Sequence, residues 1–202
     1  RGSMEFEDVV RNRRPIRSYE PKPVSEETIQ RLLEIIGLSV SAMNLQPWRI
    51  KVVSDQETKE KVFAATFGQE QVRICSHVLI LCADVDYPAI ISRLDQAQAA
   101  AGIPAERRKG MVSFATKLTG DMTPEQRLAW SREQVHIALG NAVNGAYALG
   151  LGACPLTAFD PGNLARALDL PDSLVPTAIV SVGYAAEEGA PKLRHAVSDI
   201  LV

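Results

Sequence analysis

Apolar residues recur at helical spacing through Ile29, Leu32, Leu33, Ile36 and Val40, which predicts an amphipathic helix opening after Ser25. Ser25 is a good N-cap, Glu26 and Glu27 suit the first turn, and Val24 with Ile29 can form a hydrophobic staple across the cap. Upstream, residues 5–14 read as a helix, Pro15 interrupts it, and Tyr19 to Pro23 is an extended, Pro-punctuated loop. Downstream, Trp48 to Ser54 alternates as a strand, residues 56–66 look helical, and His77 to Val85 is a buried strand. Residues 88–101 and about 104–119 suggest two helices separated at Gly102 and Pro104. A longer helix runs from about Pro124 to Leu149; its second half is apolar around most of its circumference, as in a helix central to a core. Its small residues, among them Gly140, Gly145 and Ala146, permit close packing. Gly150 and Gly152 end it and open a turn that holds Cys154. Asp160 with Pro161 starts a short helix, Pro176 to Tyr184 is strand-like, and Ala196 to Val202 can form a last strand. Helices outnumber dispersed strands, so the pattern predicts α+β, or helices layered around a modest sheet.

With 202 residues, 46% apolar and 23% charged, the chain can bury one substantial core. The expectation is a single domain over 4–202 with a helical excursion at about 88–130; Arg1-Gly2-Ser3 reads as the remnant of an expression tag before Met4. A net charge of −2 carries no signature of nucleic-acid binding. No apolar stretch has membrane-spanning length, since the longest, Val78 to Val85, contains Asp84. Without a targeting signal the expected compartment is the cytoplasm. Cys75, Cys82 and Cys154 lack metal or disulfide spacing, and His77, His136 and His195 are scattered, so no metal site is expected. Neither a dinucleotide fingerprint, a P-loop nor a hydrolase elbow is present.

Charge becomes informative in Arg11-Asn12-Arg13-Arg14-Pro15-Ile16-Arg17, four arginines within seven residues. Guanidinium forks suit phosphate, although a solvated helix end would look the same. Pro191-Lys192-Leu193-Arg194 adds two cations that share a face if extended. Between these clusters "SAMNLQPW", residues 41–48, presents the uncharged amides Asn44 and Gln46 beside Pro47 and Trp48. Amides suit the rim of a planar heteroaromatic ring, and arginine or lysine suits a phosphate on its tail. FMN has both needs.

The chain resembles the flavin-dependent nitroreductase family almost end to end. "RRPIRSY" is similar to the family's N-terminal R-x-S-x-[RK]-x-[FY] signature, "SAMNLQPW" to S-x-x-N-x-QPW, "GLGACPLTAFDP" to G-L-x-x-x-P-I-x-G-F-D, and "PKLR" to its phosphate clasp. The resemblance implies a three-layer α-β-α sandwich with a mostly antiparallel central sheet. It also implies an intertwined homodimer binding FMN at sites shared by the two chains. By the same resemblance Arg13, Lys192 and Arg194 meet the phosphate, Arg17 approaches the flavin's N1/O2 edge, and Arg14 and Pro15 fill intervening positions. Ser41, Ala42 and Asn44 come from the partner chain, with Gln46 and Trp48 mainly shaping that loop. Thr157 and Ala158 offer backbone amides to N5 and O4. Gln71, or alternatively Gln69, meets the pyrimidine edge. Departures from the pattern are Pro15 and Ala42 for serine, Gly68 for asparagine, and Thr157 and Ala158 for glutamate and glycine.

The implied reaction is ping-pong: NADH or NADPH delivers hydride to the flavin and leaves, then a nitroaromatic, quinone or similar flat acceptor takes its place. The flavin carries the chemistry, so no dedicated catalytic acid, base or nucleophile is expected. Residues 88–130 would wall the pocket; Phe67 and Phe114 are candidates for stacking over substrate or for core. Arg107, Arg108 and Lys109 could attract a nucleotide phosphate or form a solvated face. Alternatives are a family member specialised for dehalogenation or flavin breakdown, a non-catalytic flavin sensor or store, and a helical interaction domain.

Overall fold

The computed structural model describes residues 4–202, so the expected tag remnant at 1–3 lies outside the described residues. In chain order the elements are α1 (Phe6–Asn12), α2 (Glu26–Gly37), β1 (Trp48–Val53), α3 (Gln56–Ala65), α4 (Gln71–Ile74) and β2 (His77–Asp84). There follow α5 (Tyr87–Ala100), α6 (Ala105–Gly120), α7 (Pro124–Ala148), β3 (Gly152–Leu156), α8 (Pro161–Ala167) and β4 (Leu174–Gly183). The local signals act as read. The Ser25 side chain accepts from Thr28 N–H, and both staple residues, Val24 and Ile29, are buried. Thr123 and Gln126 form a capping box at the start of α7, and Asp160 accepts from Asn163 N–H at the start of α8.

The four strands form one antiparallel sheet in the order β1-β2-β4-β3. Every residue of β2 is buried, because helices cover both faces. Leu79, Leu81 and Ala83 join Val180 and Val182 in a core shared with α2 and α7; Val78, Ile80 and Cys82 join Ile179 in a second core with α3 and α8. The period-2 alternation of strand side chains thus feeds two helical layers, giving a three-layer α-β-α sandwich. Helices α5 and α6 pack on each other outside this sandwich around Tyr87, Ile90, Leu94 and Ala115.

Two local readings need correction, and one short helix has no counterpart in the sequence pattern. The expected turn at Gly152 is the start of β3, so Cys154 lies in a strand, buried, with its thiol pushed up by that burial. Its glycine and proline mask a five-residue strand that pairs with β4. The short α4 carries no sequence period long enough to read. Ala196 to Val202 forms no strand here: Val197–Asp199 is a 3-10 turn, and Val197, Ile200 and Leu201 are exposed.

Gly145 sets the approach of α7 to α2, since a Cβ there would lie 2.8 Å from Ile35 Cγ2 and 3.2 Å from Leu32 Cδ1. Gly145→Val is therefore expected to destabilise by about 1–3 kcal/mol through overpacking. Gly110→Ala, in α6 with open space around it, should instead stabilise by roughly 0.5–1 kcal/mol. Thermal unfolding of the two variants checks the opposite signs.

Candidate functional site

Where α1 ends, the chain turns along the outer edge of β3. Ile16 N–H donates to the Ala153 carbonyl at 3.0 Å, and Pro15 bridges Ala153 in parallel register. Buried Ile16 packs so tightly on Gly152 that a Cβ there would sit 2.9 Å from its Cγ2. Tyr19, also buried, bonds through its hydroxyl to the Ile16 carbonyl and to Ser181. These contacts fix the backbone that carries Arg13, Arg14 and Arg17.

The C-terminal segment then returns over the same loop. Ala186 N–H donates to the Ser18 carbonyl at 3.0 Å, and the Glu187 carboxylate accepts from Arg17 N–H at 2.5 Å and Ser18 N–H at 3.1 Å. Gly189 has φ +76°, and a Cβ on it would be 2.7 Å from Arg14 Cβ, so glycine permits both the turn and the approach. Beyond it Lys192 donates to the Val10 carbonyl, and Arg194 joins Arg13 and Arg14. Neither Glu187 nor Gly189 belongs to a motif, and their role emerges only from the fold.

The result is a cluster of like charge. Burial first, then Arg194 and Arg14, holds the Arg13 guanidinium below its ordinary value. Lys192 is lowered by desolvation and then by Arg13, Arg14 and Arg194. Among the described residues no carboxylate pairs with any of these four. Their partners are main-chain carbonyls, and Arg13 Nε is buried with no hydrogen-bond partner. A cluster of this kind suits a multiply charged anion with several acceptor oxygens.

The positive charge of Arg17 opposes the upward shift that burial gives the Cys154 thiol in β3. Thr157 and Ala158 follow the strand and are exposed. An amide relay supports them: Gln69 Nε2 donates to the Ala158 carbonyl at 3.0 Å, and Gln71 Nε2 donates to Gln69 Oε1 at 3.0 Å. Gln71 is buried and Gln69 half-buried, so Gln69 stands between Gln71 and the loop. The turn before them has Phe67 at φ 55° and Gly68 at φ 77°. Gly68 offers no side-chain bond, but it tolerates that backbone.

Ser41, Ala42 and Asn44 are elsewhere. They precede β1, at the opposite edge of the sheet from β3, with β2 and β4 between. Three strand spacings amount to roughly 14 Å. Ser41 Oγ accepts from Gln46 N–H at 2.9 Å, Ala42 N–H donates to Gln134 Oε1 at 2.8 Å, and Gln46 Nε2 donates to Asn44 Oδ1 at 3.0 Å. Leu45 and Trp48 anchor the loop in the core. Met43, Asn44 and Gln46 all have positive φ, between 49° and 54°. Such conformations cost up to about 1–3 kcal/mol each and cluster at functional sites. One chain therefore places the cations and Arg17 beside β3, with Thr157, Ala158 and the glutamine relay at that strand's end, and holds the amide loop at the opposite edge of the sheet.

Other candidates resolve differently. Arg108 bonds to Asp95 Oδ1 at 2.5 Å and Lys109 to Glu106 at 2.8 Å, which ties both into the excursion. Phe67 and Phe114 are 74% and 61% exposed, which rules out the core reading in this chain. A cleft of about 610 Å³ between α5, α6 and the start of α7 is lined by none of the residues expected to contact flavin. Among the described residues no group of His, Cys, Asp or Glu could hold a metal ion, and no helix is long and apolar enough to cross a membrane.

Residues 10–184 match the model of the nitroreductase family. The chain is 38% identical over 182 residues to an NADH dehydrogenase of Thermus thermophilus, covering 90% of this chain and 87% of that protein. It is 30% identical over 165 residues to the major NAD(P)H-flavin oxidoreductase of Aliivibrio fischeri, covering 75% and 74% of the two chains. A protein of Exiguobacterium sibiricum crystallised in complex with FMN superposes with a TM-score of 0.91 at 25% identity, covering 100% of this chain and 98% of that one.

If the cation cluster is an anion site, inorganic phosphate at ten times its Kd should stabilise protein stripped of small molecules by about 1.4 kcal/mol beyond sodium chloride of equal ionic strength. Arg13→Ala should remove most of that excess, read as the difference in melting temperature between the two salts.

Proposed function

The chain belongs to the nitroreductase family, and on that premise we propose how its residues serve an NAD(P)H-dependent FMN oxidoreductase. The observation that carries the reading is the cluster of Arg13, Arg14, Lys192 and Arg194, with no carboxylate paired to it among the described residues and an unpartnered buried Nε on Arg13. These residues fit FMN. The four cations hold its phosphate, with Pro15 fixing the backbone beside them. Arg17 offers a fixed positive charge to the pyrimidine edge, which raises the cofactor's electron affinity. Thr157 and Ala158 present main-chain N–H groups, and Gln69 and Gln71 hold that loop and supply amide contacts. Bound there, FMN supplies the hydride-accepting and hydride-donating chemistry. The chain's own work is to bind, orient and tune, so the reading assigns no catalytic acid, base or nucleophile.

The acceptors of this reading are nitroaromatics, quinones and similar flat electrophiles, which take the nicotinamide's place in a ping-pong cycle. Purified protein should be yellow, bleach with NADH or NADPH, and recover its colour with a nitroarene or quinone. Colour that does not bleach with either nicotinamide would instead indicate a flavin store or sensor. Charge-assisted bonds contribute about 1.5–3 kcal/mol each. Arg13→Ala should accordingly weaken FMN binding about tenfold or more while changing riboflavin binding much less, as read by flavin fluorescence titration. Equal losses for both ligands would contradict the phosphate role.

The site is completed by a second copy of the chain. Ser41, Ala42 and Asn44 sit at the edge away from Arg13, so they serve the partner's flavin. Support comes from β1, whose outer edge is unpaired among the described residues, and from the exposed Leu38 and Val40 just before the amide loop. The tail carries exposed Leu193, Val197, Ile200 and Leu201, apolar residues that a partner's surface and sheet edge would cover. Deleting residues 196–202 should therefore cost both dimerisation and flavin retention, measured by sedimentation and absorbance. A yellow, active monomer would contradict the shared site.

A further inference from the structure

Beside the strained amide loop lies a groove of about 560 Å³ that meets the proposed flavin contacts only at Asn44. It begins at Asn44 and Gln46 and runs along α5 to Ile103. Trp48, Ile90 and Leu94 supply apolar wall, and the only charged residues lining it are Arg49 and Arg93. Both guanidinium groups converge on one oxygen of Asp84, at 3.4 Å and 2.9 Å. The Asp84 side chain is only 4% exposed, whereas those of Arg49 and Arg93 are 49% and 39% exposed. Its other oxygen accepts from Asp86 N–H at 3.0 Å.

Two guanidiniums on one buried carboxylate leave a surplus of one positive charge, held in place by the carboxylate beneath it. Each guanidinium carries five N–H donors in a planar fork, and sharing a single oxygen leaves most of them free for a ligand. An apolar wall with few polar groups is the makeup of a small-molecule site, and the volume falls within the usual range.

We propose that this groove recognises the anionic group, a carboxylate or sulfonate, of a flat aromatic acceptor, with Arg49 and Arg93 as specificity-determining residues. The inference rests on the oxidoreductase reading above, in which Asn44 reaches the partner's flavin and so sets one end of the groove beside the reacting ring. The surplus of one charge matches a monoanion better than the several charges of a dinucleotide.

The test compares kcat/KM for 4-nitrobenzoate with that for 4-nitrobenzyl alcohol, a neutral compound of similar size, on the FMN-loaded dimer. The wild type should favour the anion. In Arg49→Gln and Arg93→Gln the ratio of anion to neutral acceptor should fall about tenfold, as expected for loss of a charge-assisted contact. Arg93 holds the shorter bond to buried Asp84, so Arg93→Gln carries a risk of misfolding. Arg49→Gln keeps that bond and tests the same ratio. No preference in the wild type, or a preference kept in a folded Arg49→Gln protein, overturns the proposal and leaves the oxidoreductase reading intact. A rise in KM for NADH or NADPH with the acceptor ratio unchanged overturns it in favour of a nucleotide groove. Failure to reduce either compound, with quinones also inert, overturns the oxidoreductase reading and the proposal with it.

Discussion

Mutual repulsion among Arg13, Arg14, Lys192 and Arg194 is the constraint around which the β3 edge is built. Four cations are drawn together, and burial with their mutual charge lowers the pKa values of Arg13 and Lys192. Ion pairs do not hold this arrangement; contacts made to the backbone do. The Pro15–Ala153 bridge, the Ile16 packing on Gly152, the Glu187 carboxylate on two successive N–H groups and the left-handed turn at Gly189 fix two distant stretches of chain against each other. The unfavourable charge energy is stored in a fold stabilised elsewhere, chiefly by a sheet buried on both faces. A phosphate would relieve it, which makes anion binding and the geometry of this edge one question.

The same logic applies at the other edge. Three positive-φ residues in the amide loop are held by core anchors Leu45 and Trp48 and by Gln134 from the central helix. In both places local strain is sustained by packing, and in both the strained segment presents polar groups outward. The sheet keeps the two edges apart within one chain, so a second chain is the economical way to place them around one ligand.

Much of this was legible in the sequence because it is local. Caps such as Ser25 and Asp160, the staple at Val24 and Ile29, and the apolar periods of α2 and α7 act over one or two turns. The basic and amide motifs were visible for the same reason. Strand β3 was missed because Gly152 and Pro155 signal a turn, while its pairing with β4 is settled by residues about 27 positions away, as between Cys154 and Ser181. The apolar residues of the tail suggest a strand, yet among the described residues it pairs with no strand of its own chain. Glu187, Gly189 and the Gln69 relay could not be read at all, since each acts through contacts made only after folding. Arg49 and Arg93 were silent too, because Asp84 draws them together across the sheet and α5.

On the proposed reading each site takes its arginines from one chain and its amide loop from the other. Mixing an Arg13→Ala protein with an Asn44→Ala protein, under conditions where subunits exchange and FMN is limiting, tests it directly. In a mixed dimer one site then carries both defects and the other carries neither. The account predicts that mixing restores flavin-dependent reductase activity that neither parent has, approaching about a quarter of wild-type sites at random exchange. Activity that stays at the average of the two parents, with mixed dimers shown to form, would contradict it.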